Sequence, residues 1–149
     1  KKLNIKFFDI DQLIEKETNM LISEIFEIKG EKFFRDLEEK ITIRSLNVNN
    51  CIISLGGGGF INEKIKKEVL DQSYSFWLNW DINTLVDRIK NSKKRPLAYS
   101  LSEKELSNLI IKRSKIYSKA LFKIECKKLK KHEIIKKILQ LNEQVSITN

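Results

Sequence analysis

The sequence predicts an α/β fold, a three-layer sandwich with a mostly parallel sheet, and two observations predict it. Short runs rich in β-forming residues alternate along the chain with helix-like runs, the pattern of parallel strands joined by helical crossovers. The length of 149 residues suits one domain with a real core and is too short for two comfortable ones. The expectation is a single domain over residues 1–149.

Residues 3–11, LNIKFFDID, alternate and are rich in β-formers, so they read as a strand that ends at two aspartates. A helical region follows from about Gln12. Within EIKGEKFFRDLEEKITIRSL, Phe33, Leu37 and Ile41 recur at four-residue spacing and mark a buried helical stripe. NNCIISLGGGG is a second strand with its glycine turn, INEKIKKEVLDQ a short helix, SYSFWLNWD a third strand and INTLVDRIKNS another helix. KKRPLAYSLSEKE holds the only proline and three basic residues in a row, which suits a mobile surface segment. Residues 103–121 read as a long helix, FKIEC as a last short strand and residues 130–141 as a terminal helix. There is no repeat and no low-complexity stretch.

The formal charge of +9 comes from 29 basic residues interleaved with 20 acidic ones along helical segments. That dispersal favours solvated helix faces and an anionic small ligand over a nucleic-acid footprint. Cys51 and Cys126 are far apart and read as small core residues, which points to a reducing, cytosolic setting. No apolar run approaches the ~18 residues of a membrane span, and the N-terminus lacks the order of a signal peptide. His132, in KKHEII, reads as a solvated helix residue.

Four of the five glycines stand together at 56–59, straight after a strand-like run. In parallel α/β sheets ligands bind beyond the carboxyl ends of strands. Glycines there let a ligand approach the backbone and let the chain take positive φ, although a tight strand-to-helix turn would use them equally well. Asp9 and Asp11, two apart in the predicted strand, project to one side of the sheet. Such a pair can hold Mg²⁺, orient a hydroxyl or accept its proton, and a helix N-cap at Asp11 is the alternative.

If residues 103–121 are helical, Leu106, Ile110, Arg113, Tyr117 and Ala120 share a stripe, and Arg113 points where its neighbours bury apolar surface. An anion should meet it, either a protein carboxylate or a ligand. Arg35 lies off the Phe33 stripe with Glu38 and Glu39 three and four residues on, by itself an ordinary surface helix pair. Arg88 and Arg95 flank IKNSKK, a cationic stretch suited to phosphates or to a solvated loop.

FFDID at 7–11, FRDLEE at 34–39, LGGGG at 55–59, KRPLA at 94–98 and RSKIY at 113–117 together resemble the shikimate kinase family, in its order and at about its spacing. The resemblance covers residues 3–141 and implies a P-loop kinase fold of the nucleoside-monophosphate-kinase kind, with a lid at about 91–104. It implies transfer of the ATP γ-phosphate to the 3-hydroxyl of shikimate with Mg²⁺, on the cytoplasmic route to chorismate and aromatic amino acids. Asp9 resembles the magnesium-linked aspartate, and Asp11 the one that binds two shikimate hydroxyls and helps activate the acceptor oxygen. Arg35 and Arg113 resemble the pair that grips the shikimate carboxylate, Glu38 the acid that positions the first of them, and Gly57 and Gly58 the backbone beside the ring. Arg95 resembles the lid arginine on the transferred phosphate, and Arg88 a nucleotide-side basic position.

The chain departs from the family in several places. No G-x-x-x-x-G-K-[ST] occurs in these 149 residues, and KKLNIKFFDID begins where the helix after that loop should end. The expectation is an upstream strand, P-loop and helix in the natural protein, because the family's opening strand is central to its sheet. RSKIY lacks a common proline, RPLA has alanine for a larger apolar residue, and ECKKLKK lacks the asparagine and arginine pattern that borders adenine. The reading is a monomeric shikimate kinase with shikimate and ATP as partners. A non-catalytic binder of shikimate-like anions on the same fold, and a basic nucleic-acid binder, are the alternatives.

Overall fold

The computed structural model describes residues 5–91 and 101–148. These fall into two compact units, residues 5–73 and residues 74–91 with 101–148.

In the first unit Lys6–Asp9 (β1) and Cys51–Ser54 (β2) pair in parallel, with Lys6 opposite Cys51 and Asp9 opposite Ser54. Ile10–Thr18 (α1), Ile22–Ile28 (α2) and Gly30–Leu46 (α3) connect them, and Glu63–Gln72 (α4) follows the glycine run. Local chemistry sets the boundaries. The Asp9 carboxylate accepts the Gln12 N–H at 3.2 Å, satisfying a first-turn donor, so the strand ends there and α1 begins at once. Asn19, in the left-handed region at φ 52°, ends α1, and Gly30 at φ 83° supplies the positive φ where α3 opens. Asn62 caps α4, its Oδ1 accepting the N–H groups of Lys64 at 2.9 Å and Ile65 at 3.1 Å.

Ile10, Ile14, Ile25, Phe34 and Ile41 form this unit's core, each such burial contributing about 1.5–3 kcal/mol. The buried stripe of α3 differs from the expected one. It comprises Phe34, Glu38, Ile41, Thr42 and Ser45, while Phe33 is 43% exposed and Leu37 packs only at the core's edge. Two adjacent phenylalanines permit either helical phase. The one adopted sets Phe34 against Phe26, ring centroids 4.7 Å apart, and turns Glu38 inward.

In the second unit Phe76–Asn79 (β3) pairs in parallel with Phe122–Glu125 (β4), Phe76 opposite Phe122 and Asn79 opposite Glu125. Ile82–Lys90 (α5), Glu103–Tyr117 (α6) and Lys131–Thr148 (α7) accompany them. Val86, Ile89, Leu106 and Ile110 bury one cluster between α5 and α6, and Ile124, Cys126 and Ile134 another beneath α7. Cys126 is a buried free thiol, as expected, whereas Cys51 is only half-buried. The parallel pairing matches the sequence: among the described residues each unit holds one parallel pair of strands. Helix α6 stops four residues short of Leu121, because Lys119 and Ala120 fold into tight turns on Ile116 and Tyr117 at 3.1 and 3.0 Å. Helix α7 runs past Leu141, and His132 is exposed on it. Among the described residues no helix is long and apolar enough to cross a membrane.

Asp81 caps α5 through the Thr84 N–H at 3.1 Å, and Ser102 and Glu105 form a reciprocal capping box on α6. These hydrogen bonds, from Thr84 to Asp81 and from Ser102 to Glu105, hold both carboxyls below the usual carboxylate range. A folded-state value below the unfolded one stabilises the protein above the unfolded value, and that stability is lost as pH falls through the folded value. The urea midpoint should therefore decline as pH drops from about 5 to about 3, and Ser102→Ala should shallow that decline. A midpoint flat across the interval would refute the linkage.

Candidate active site

Parallel strands offer ligands their carboxyl ends. In the first unit β1 and β2 finish level, so the first turn of α1 and the glycine run leave the same edge. The two aspartates arrive there differently from the sequence expectation. They do not share a strand face, because the helix starts between them: Asp9 is the N-cap and Asp11 sits in the first turn. Asp11 meets the glycine run, its Oδ1 lying 2.7 Å from where a Cβ on Gly56 would stand.

Arg35, on α3, donates from Nη1 to Glu38 Oε2 at 2.7 Å and from Nε to Glu31 Oε1 at 3.3 Å. Reading Arg35 and Glu38 as an ordinary surface pair is corrected here, since the Glu38 side chain is 2% exposed and the Arg35 side chain 30%. A buried carboxylate thus fixes one edge of the guanidinium, and Phe34 lies beneath it with the ring centroid 5.1 Å away. A Cβ on Gly58 would overlap Arg35 Nη1, and one on Gly56 would also stand 3.0 Å from Glu38 Oε1. Among the described glycines only Gly30 has positive φ, so the run at 56–59 does not serve left-handed backbone. It serves close approach, with bare Cα atoms lying against Asp11, Glu38 and Arg35. Gly57 stands in the same turn.

A guanidinium held in place by an internal acid offers a planar fork to a ligand carboxylate, and an aspartate beside bare backbone accepts hydrogen bonds from hydroxyls or takes a proton.

In the second unit Arg113 lies on the α6 stripe with Leu106 and Ile110, as its spacing predicts. Its Nε is buried and has no hydrogen-bond partner among the described residues. A buried donor left so costs about 1–3 kcal/mol, more when charged, and an anion would relieve it. The Arg88 guanidinium lies over Trp80, 3.8 Å from the ring centroid, and Trp80, Asp81, Ser114 and Lys127 line a cleft of about 410 Å³. Arg95 and most of the expected lid lie outside the described residues. Sequence reasoning missed Gly56 as a contact of Asp11, Trp80 as the partner of Arg88 and Glu39 as a ligand of Asn62. Only the first left a signal, as part of the glycine run.

Parallel strand pairs joined by helical crossovers, with aspartates at the carboxyl end of the first pair, match the P-loop kinase fold of solved small-molecule kinases. The chain belongs to the shikimate kinase family, whose model, described as shikimate kinase, matches residues 1–143. It is 36% identical over 139 residues to the shikimate kinase of Persephonella marina, covering 93% of this chain and 84% of that protein. The shikimate kinase of a Sulfurihydrogenibium species is 37% identical over 139 residues, covering 93% and 83%. The crystal structure of Aquifex aeolicus shikimate kinase matches with a TM-score of 0.86 at 33% identity, over 99% of this chain and 87% of that one. Acinetobacter baumannii shikimate kinase in complex with shikimate matches with a TM-score of 0.89 at 26% identity, over 96% and 81%.

Proposed function

We propose that this protein transfers the ATP γ-phosphate to the 3-hydroxyl of shikimate, with Mg²⁺, in the cytoplasm and as a monomer, on the way to chorismate. The observation that carries the reading is Arg35, held by buried Glu38 against bare Gly58, on the same glycine run that Asp11 meets at Gly56. A substrate bearing one carboxylate and several hydroxyls matches those groups in kind.

In this reading Arg35 binds the carboxylate, Gly57 and Gly58 border the ring, and Asp11 orients the hydroxyls and takes the proton from the attacking one. Arg113 has the carboxylate role by family resemblance, and its buried, unpartnered Nε suits it. Arg88 and Arg95 have the nucleotide-side and transferred-phosphate roles on the same ground. Asp9 fits a magnesium contact. Its Oδ1 is engaged by the Gln12 N–H, which leaves Oδ2, and Mg²⁺ is commonly held by one or two carboxylates with phosphate oxygens and water. When bound, the ion supplies charge neutralisation to the phosphates.

Asp11→Asn keeps the shape and removes the base. With the expected upstream strand, P-loop and helix joined to these residues, shikimate 3-phosphate formed from ATP, followed by mass spectrometry, should fall about 10²–10⁴-fold with the circular dichroism spectrum unchanged. Undiminished product from Asp11→Asn would remove Asp11 from the chemistry.

A further inference from the structure

Glu38 and Glu39 are neighbours on α3 with different partners. Glu38 is turned inward to Arg35, whereas Glu39 reaches across to the start of α4. Its Oε2 accepts from Asn62 Nδ2 at 2.9 Å and its Oε1 from Lys64 Nζ at 2.8 Å. Asn62 is thereby used at both ends of its amide, because its Oδ1 already accepts two first-turn N–H groups of α4.

Asn62 is also stitched backward to the glycine run. Its N–H donates to Gly59 O at 3.1 Å, Ile61 N–H to Gly58 O at 3.0 Å, and Gly59 N–H to Gly56 O at 3.1 Å. Successive three-residue hydrogen bonds make residues 56–62 one short, stiff piece of chain with Phe60 buried beneath it. One end of that piece lies against Asp11, Glu38 and Arg35, and the other hangs on Glu39.

We infer that Glu39 is a positioning residue for the acceptor site: through Asn62 it sets where the glycine run stands relative to Arg35 and Asp11. This rests on the reading of residues 56–58 as one wall of the shikimate pocket. The geometry leaves little slack, since Gly56 and Gly58 already approach side chains more closely than a Cβ would permit. A small shift of the piece would either open a gap at the ring or press backbone onto the guanidinium. Both hydrogen bonds to Glu39 lower its carboxyl's affinity for protons, in line with a carboxylate that works ionised as an acceptor.

The Lys64 contact is a separate matter. The Lys64 side chain is 64% exposed, so its ion pair with Glu39 is a surface one and contributes little. The positioning belongs to the Glu39–Asn62 hydrogen bond, and the test must separate the two.

Calorimetric titration with shikimate, paired with amide hydrogen exchange at residues 56–61, makes that separation. Glu39→Ala should weaken shikimate binding about tenfold, the loss expected of a hydrogen bond to a charged group, and speed exchange along the glycine run. Glu39→Gln, which can still accept from Asn62, should recover most of the affinity. Lys64→Gln should bind like the wild type, and Asn62→Asp, which keeps the cap on α4 but cannot donate to residue 39, should add no further loss to Glu39→Ala. If wild-type protein binds shikimate and Glu39→Ala binds it equally well, the inference is overturned and the pocket stands. If the loss in Glu39→Ala is matched by Lys64→Gln, the effect is electrostatic and the inference is likewise overturned. If the folded wild-type chain binds no shikimate, the acceptor reading itself fails and the inference falls with it.

Discussion

Arg35→Ala should lower the unfolding free energy by about 1–3 kcal/mol and remove measurable shikimate binding. The stability loss follows from Glu38, whose side chain is 2% exposed on the inner stripe of α3 and would lose the guanidinium 2.7 Å from its Oε2. A carboxylate buried without that counter-charge costs far more than an exposed pair returns, which is about 0.3–0.5 kcal/mol for a helical pair. Arg35→Lys should divide the two effects. It keeps a cation near Glu38 and so retains most of the stability, but a point ammonium cannot present a fork to a carboxylate and binding should still fall. Urea unfolding of the three proteins decides the matter. An Arg35→Ala protein within about 0.5 kcal/mol of wild type would mean that Arg35 and Glu38 behave as a surface pair after all.

Gly58→Ala should abolish shikimate binding, while Gly59→Ala, one residue on, should bind almost as the wild type does. The added methyl at Gly58 would occupy the space of Arg35 Nη1, and the guanidinium cannot move aside without breaking its hydrogen bond to Glu38. At Gly59 the nearest atoms, Glu38 Oε1 and the Leu55 Cβ, stand 3.6 Å away, which is ordinary contact. Backbone conformation does not distinguish the two sites, since neither has positive φ, so any difference reports on space alone. Equal affinities in the two variants would show that the glycine run does not border the bound acceptor.

Much of this arrangement was legible in the sequence because it is local. Alternation of β-forming and helical runs placed the strand pairs, the spacing of Leu106, Ile110 and Arg113 put an arginine on a buried stripe, and four consecutive glycines marked a place of close approach. The errors share a cause, which is that adjacent residues compete for one structural role. Phe33 and Phe34 are equally apolar, and only packing against Phe26 selects the second, which in turn buries Glu38. Asp9 and Asp11 are both good caps, and the choice of Asp9 moves Asp11 from strand to helix. The hydrogen bond between Glu39 and Asn62 spans 23 residues and leaves no periodic trace. The roles proposed for Arg35 and Asp11 rest on the ordered set of five motifs, which carries information that no single spacing contains.

The measurement that bears most directly on the account is a calorimetric titration of the folded protein with shikimate and, separately, with its methyl ester. The account predicts one binding site for shikimate and little or no heat from the ester, which keeps the hydroxyls but has lost the charge that Arg35 is proposed to meet. Equal binding of acid and ester, or no binding of shikimate by a folded chain, would contradict it.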